Sequence, residues 1–354
     1  MKNVITITGI RPDFIRMSEI FKKLDENFNH TLIHTGQHYN TMLSDIFFKE
    51  LEIRKPDFNL EIGGPGKEHY HQTAELSIKL VDLMKTLNPD LIIFLGDSNS
   101  VLASVPLKKE GFKIAHIEAG MRSGDKRMLE EINRTVCDHC SDIHFVYHED
   151  YKQNLIAENL PEENIHVVGN TIVEAFNKYF EYITLPSGPH IVLDIHRPEN
   201  FKYKERLMNI INISNILESI YRVSVYMLAF PRTMDYIKQY NINLHRIRPI
   251  PLKSYKDYLK FQFDSIFIIS DSGTAQEEPA LMGKPVIVPR DFTERPQSVI
   301  NGCSYMLDVN GSLNLGIHRA TEICQWLNDK RQMNIDWLGK GDTSELIINY
   351  LKEL

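Results

Sequence analysis

Along the chain, short apolar runs alternate with stretches in which apolar residues recur every three or four positions. VITITG, TLIHTG, DLIIFLGD, KIAHIEAG, IHFVYHE and IHVVGN are rich in β-branched residues and mostly end in Gly or a polar residue, as buried strands do. Between them lie helix-period segments such as FIRMSEIFKKL and ELSIKLVDLMKTL. The alternation predicts a parallel sheet with helices on both faces. The pattern pauses at ITLPSGP (183–189), which reads as a linker, and resumes with HIVLDIH, VSVYMLAF, SIFIISD, KPVIVP and SYMLDV. The fold class expected is therefore α/β, with two Rossmann-like doubly wound domains, one over 1–175 and one over 186–340.

Bulk properties narrow the partners. A chain of 354 residues exceeds what a single core usually organises, and 42% hydrophobic with 25% charged residues is an ordinary globular composition. The formal charge is −7 and no Lys/Arg block could track a phosphate backbone, so nucleic acid is not an expected partner. No run approaches the roughly 18 apolar residues of a membrane span, and the N-terminal apolar run is interrupted by Arg11, Pro12 and Asp13, so a cytoplasmic protein is expected. CDHC (137–140) has no second ligand pair and sits in a helical pattern, which gives no metal site.

In doubly wound sheets ligands bind beyond the carboxyl ends of the strands, so the residues just after each apolar run are the informative ones. After the first run, GIRPDFIR places Arg11 at a helix start, where its planar fork suits phosphate. LGDSNS and HIEAG place Asp97 and Glu118 at two strand tips; crowded acids raise one another's pKa, which suits proton transfer near neutrality. DIHRPENF places His196 and Arg197 at another tip, fitted to phosphate binding or proton shuttling. In SDSGTAQEEPALMGKP, Ser272, Gly273 and Thr274 can cradle a pyrophosphate with hydroxyl and backbone donors, and Glu278 could accept from ribose hydroxyls. Neither a GxGxxG fingerprint nor a Walker motif is present, since GGPGKE lacks the required pattern.

The stretch HIEAGMRSGDKRMLEEINR (116–134) crowds Glu118, Asp125, Glu130 and Glu131 among Arg122, Lys126, Arg127 and Arg134. A mixed-charge run of this kind is most often a solvated loop, and acids in a first helical turn are favoured by the dipole without any function. The alternative is a site that moves protons beside a bound anion.

Read together and in order, GIRPDFIRMSEIF, HTGQHYNTML, LGDSNS, HIEAGMRS, EEINR, VVGNTIVE, HRPENF, DSGTAQEEPALMGKPVIVPRDFTERP and GDTSELI resemble the non-hydrolysing UDP-N-acetylglucosamine 2-epimerases over almost the whole chain. The resemblance implies a GT-B-like pair of domains with the active site in the cleft between them, a C-terminal helix (342–354) crossing back to the first domain, and a homodimer. It implies a UDP-sugar substrate and no cofactor. It also implies loss of the C2 proton with expulsion of UDP to give a 2-acetamidoglucal, then re-addition with C2 protonated on the other face. By the same resemblance Asp97, Glu118, Glu130 and His196 are catalytic. Arg11, Arg16, Gln37, His38, Arg134, Arg197, Ser272, Gly273, Thr274, Glu278 and Arg295 bind the UDP-sugar.

Some positions depart from the family pattern. GTRPE is GIRPD here, a Lys position is Arg16, and DSGG is DSGT at Thr274. VYMLAFPRT has Leu228 and Phe230 where many members carry a His of the site that binds a second UDP-GlcNAc as activator, with Asn40 and His71 near two other such positions. Weak or absent substrate activation is therefore expected. The PRT after Phe230 and Asn99 in GDSNS resemble relatives acting on 6-deoxy UDP-N-acetylhexosamines. That substrate, a hydrolysing epimerase, a GT-B glycosyltransferase and a UDP-binding protein without turnover are the competing readings.

Overall fold

The computed structural model describes residues 1–36, 45–64, 68–181, 188–329 and 333–354. It divides into two units, Met1–Tyr179 with Leu338–Leu354, and Phe180–Trp337. In the first, β1 (Asn3–Thr8), β2 (Asn29–His34), β3 (Phe58–Asn59), β4 (Leu91–Leu95), β5 (Ile114–Ile117), β6 (Ile143–Val146) and β7 (Ile165–Val167) form one parallel sheet in the order β3-β2-β1-β4-β5-β6-β7. One face of the sheet buries Ile5, Ile7, Ile92 and Phe94 against Leu76, Leu80 and Met84 of the helix His69–Leu87. The C-terminal helix Thr343–Glu353 packs on the helices Arg11–Asn27 and Thr171–Tyr179, and its Ser344 donates N–H (3.1 Å) and Oγ–H (2.8 Å) to the Glu174 carboxylate.

In the second unit, β8 (His190–Asp194), β9 (Ser224–Leu228), β10 (Arg248–Ile250), β11 (Ser265–Ser270), β12 (Val286–Val288) and β13 (Ser304–Met306) form a parallel sheet in the order β10-β9-β8-β11-β12-β13. Successive side chains alternate between two dry faces. Ile191, Leu193, Met227 and Ile269 face Leu207, Ile210 and Leu217, while Val192, Ile268, Val286 and Val288 face Phe261. This is why the apolar runs are continuous instead of alternating with polar residues. Both units are Rossmann-like, as the alternation of apolar runs and helix-period segments predicted. The short edge strands β3 and β10 were not expected.

Each sheet order reverses once, between β1 and β4 and between β8 and β11, and ligands in such sheets bind at the reversal. The candidate residues cluster there in both units. Gly9 follows β1, Asp97 follows β4, His196 follows β8 and Ser272 follows β11. Among the described residues, no helix is long and apolar enough to cross a membrane.

Candidate active site

At the first unit's reversal the two tips touch. A Cβ on Gly9 would meet Ser98 Oγ at 2.4 Å and Ser100 Oγ at 2.3 Å, so glycine is required for this close approach. Asp13, at the third helical position, folds its Oδ2 back to accept the N–H groups of Gly9 (2.7 Å) and Ile10 (3.0 Å). It is 5% exposed, and burial, opposed by those two hydrogen bonds and reinforced by Asp97 and Glu118, raises its pKa to about 7. Asp13 was missed in the sequence, where RPD read only as a helix start. An acid three residues into a helix that opens at a strand tip was the available signal.

Glu118 stands in left-handed backbone (φ 70°), unusual for a residue with a side chain, and is 7% exposed. Its carboxylate pairs with Arg16 Nη1 at 3.2 Å and accepts from Tyr147 Oη at 3.3 Å, and Tyr147 in turn lies 2.7 Å from Thr171 Oγ1. Asp97 pairs with Arg134, whose Nη1 is also 3.4 Å from Glu131. Arg134, expected to face substrate, is buried at 2% exposure and holds these two acids in place. Arg11 lies with its guanidinium 5.0 Å from the Phe47 ring, and its Nε has no hydrogen-bond partner among the described residues. Glu130 is half-buried in the first turn of Leu129–Cys140.

Beneath these tips sits a buried ion-paired set. His116, on β5, puts Nδ1 2.6 Å from Asp138 Oδ1 and Nε2 2.7 Å from the Gly96 carbonyl, the residue before Asp97. Both partners accept, so the ring donates from both nitrogens and is an imidazolium. Burial works against that charge, but Cys137 and Asp138 outweigh it and lift the pKa of His116 well above its ordinary value; His116 in turn helps hold Asp138 down to about 2. Asp138 also accepts from Gly120 N (3.1 Å) and pairs with Arg122 (2.8 Å). The loops carrying Asp97 and Glu118 are thus tied to one buried pair. Of the charges in 116–134, Lys126 and Arg127 are exposed as a solvated loop would have them, while Glu118, Glu131 and Arg134 are buried. Arg127 pairs with Asp125, and Glu131 accepts from the Ser123 and Gly124 N–H groups at 3.0–3.1 Å. Cys137 and Cys140 are free thiols within the helix Leu129–Cys140.

At the second unit's reversal, Asp194 ends β8. Its Oδ1 is 2.8 Å from His196 Nδ1, and its Oδ2 accepts from Tyr258 Oη (3.0 Å) and Ser270 Oγ (3.2 Å). Asp271 accepts the N–H groups of His196 (3.0 Å) and Arg197 (3.1 Å) and the Asn200 amide (2.9 Å). Asp194, His196 and Asp271 bring potential ligand atoms within 4.8 Å of one another, and each of the four carboxylate oxygens takes a hydrogen bond, so the three side chains form one hydrogen-bonded network. The Phe230 ring packs on His196 with centroids 4.8 Å apart.

The Ser272 N–H, expected to meet pyrophosphate, is donated instead to Ser270 Oγ at 3.1 Å, because the strand-end hydroxyl turns back over it. Ser272 and Thr274 remain half-buried, with Gly273 between them. A Cβ on Gly273 would lie 2.6 Å from Arg295 Nη1. Arg295, expected to bind substrate, is 4% exposed and pairs with Glu277 (2.6 Å) and Glu294, so it forms the floor under this loop. Glu278 is also buried and accepts from Tyr255 Oη at 2.7 Å. Gln37, His38 and Asn40 lie outside the described residues.

A family model described as UDP-N-acetylglucosamine 2-epimerase matches residues 22–352. The UDP-N-acetylglucosamine 2-epimerase of Methanocaldococcus jannaschii is 35% identical over 98% of this chain and 97% of its own. The UDP-2,3-diacetamido-2,3-dideoxy-D-glucuronate 2-epimerase of Pseudomonas aeruginosa is 31% identical over 99% of both. A crystal structure of the M. jannaschii enzyme in complex with UDP-GlcNAc and UDP superposes with a TM-score of 0.88 at 33% identity, covering 100% of both chains.

Proposed function

The chain belongs to the UDP-N-acetylglucosamine 2-epimerase family and is an isomerase, and from that premise we propose that it interconverts UDP-GlcNAc and UDP-ManNAc without net hydrolysis. The observation that carries the reading is the clustering of Asp13, Asp97 and Glu118 at neighbouring strand tips, where burial first and the other two carboxylates after it raise Asp13 to about 7, a setting that suits proton exchange near neutral pH. A carboxylate among Asp97, Glu118 and Glu130 takes the C2 proton while the C1–O bond breaks and UDP departs with the bonding electrons. The 2-acetamidoglucal then takes UDP back at C1 through a β-phosphate oxygen, and C2 receives a proton on its other face. Arg11, His196, Arg197 and the Ser272–Thr274 loop hold the diphosphate, and Glu278 holds the ribose. Arg16, Arg134 and Arg295 act one step back, fixing Glu118, Asp97 and Gly273.

The reading carries with it a cytoplasmic location and a homodimer. Support for the dimer is the set of exposed apolar side chains Ile78, Val105, Leu129 and Ile132 on helices of the first unit. Light scattering should give twice the chain mass.

The test of the reaction is proton NMR in deuterated water with purified protein and UDP-GlcNAc alone. Deuterium at C2 together with UDP-ManNAc is expected. Free ManNAc would overturn the non-hydrolysing reading. Inertness towards UDP-GlcNAc with exchange on UDP-2,3-diacetamido-2,3-dideoxyglucuronate or a 6-deoxy UDP-N-acetylhexosamine would move the substrate and keep the chemistry.

A further inference from the structure

We infer that Asp194 is a positioning residue that holds His196 as an imidazolium, leaving its Nε2–H edge to donate to a diphosphate oxygen. The diphosphate rests on the function proposed above; the Asp194–His196 pairing does not.

The geometry fixes one side of the ring and leaves the other open. Nδ1 faces Asp194 Oδ1 at 2.8 Å, while Nε2 has no hydrogen-bond partner among the described residues and the side chain is 32% exposed. Asp194 itself is 4% exposed, and its second oxygen is held by Tyr258 and Ser270, so it cannot turn away. With Oδ2 taken by those hydroxyls, Asp194 turns Oδ1 to Nδ1 as an acceptor, which places a proton on that ring nitrogen. The charged groups facing the ring are Asp194 on β8, Asp271 after β11, whose Oδ1 is 3.5 Å from Nδ1, and Arg197 on the ring's own segment, with Tyr258 behind Asp194. Burial opposes charge on His196, and Arg197 adds to that, but Asp194 and Asp271 outweigh both and the net direction is upward.

The same network reaches the second candidate diphosphate donor. Ser272 N–H donates to Ser270 Oγ (3.1 Å), and Ser270 Oγ donates to Asp194 (3.2 Å), so a single carboxylate anchors both His196 and the start of the Ser272 loop. A buried acid next to a strand-end His, two residues apart in LDIH, has no role in the sheet itself, since its neighbours Leu193 and Ile195 supply the core. Leaving such a carboxylate dry is costly unless it is fully engaged.

The experiment is a pair of titrations on full-length protein: the imidazole midpoint of His196 by NMR, and the Kd for UDP as a function of pH, in wild type and Asp194→Asn. The amide can still accept from Nδ1, so geometry is kept and charge removed. Loss of an opposite charge at this distance should lower the His196 midpoint by about 1–3 units, and UDP binding at pH 8 should weaken about tenfold while recovering by pH 5.5. Asp194→Ser serves if the amide variant melts early. An unchanged His196 midpoint in a folded variant overturns the pairing. A moved midpoint with no UDP affinity in the wild type at any pH overturns the diphosphate role and the proposed function, and leaves the pairing standing.

Discussion

At the β1, β4 and β5 tips of the first unit, Asp13, Asp97 and Glu118 come together, and burial, with the neighbouring carboxylates adding to it, raises Asp13 to about 7. At the β8/β11 tips of the second, the acids Asp194 and Asp271 are equally buried but saturated by donors, and the group left facing outward is His196. One fold has thus been loaded in two senses. In the first, a buried acid stands beside two others and its proton is held more tightly; in the second, acids engaged by hydroxyl, amide and backbone donors face a cationic ring. The difference lies in what faces each acid, other carboxylates in one unit and an imidazole with its donors in the other.

The comparison breaks most visibly if a proton-exchanging acid is neutralised. Glu118→Gln should lower turnover by about a hundred- to ten-thousand-fold, measured as initial rates of epimerisation. Asp138→Asn removes the partner of a buried imidazolium and should cost about 3–5 kcal/mol of folding stability in urea melts, with loss of activity following from disordered Asp97 and Glu118 loops. A mild effect there would detach the buried pair from the site.

Asp13 sharpens the contrast through its sign. Its folded pKa lies above the ordinary 3.8, so between those values the folded state binds the extra proton and stability falls as pH rises from about 4 to 7. Asp13→Asn should remove that slope and be more stable than wild type at pH 8, by an amount on the order of a few kcal/mol. An unchanged slope would show that Asp13 is not the group responsible. The smallest effect expected is none: with Phe230 packed on His196 where an activator-binding His was looked for, rates should rise hyperbolically with UDP-GlcNAc. Sigmoidal rates abolished by added UDP-GlcNAc would contradict this.

The eleven apolar runs read from the sequence all became strands, because a sheet buried on both faces leaves uninterrupted β-branched runs. The strands β3 and β10 did not show, because their residues are exposed apart from half-buried Ile250, so FN and RPI carry no apolar run. Strand-tip positions located Asp97, Glu118 and His196. What the tips could not reveal is pairing across the fold. Arg134 and Arg295 look like phosphate ligands by residue type, yet Asp97, 37 residues from Arg134, and Glu277, 18 residues from Arg295, join the nearby Glu131 and Glu294 in claiming them first. His116 and Asp138 are separated by 22 residues and meet only because β5 and the helix after it pack together. Asp194 did leave a trace, a carboxylate inside the run HIVLDIH, where only a fully hydrogen-bonded acid survives burial.

The division of labour between the units can be tested in one variant with two readouts. In Glu118→Gln, UDP affinity by calorimetry and deuterium exchange at C2 of UDP-GlcNAc are measured on the same preparation. The account predicts UDP binding within about threefold of wild type and C2 exchange reduced at least about a hundredfold. Exchange at the wild-type rate, with UDP binding lost, would place the proton chemistry elsewhere and contradict it.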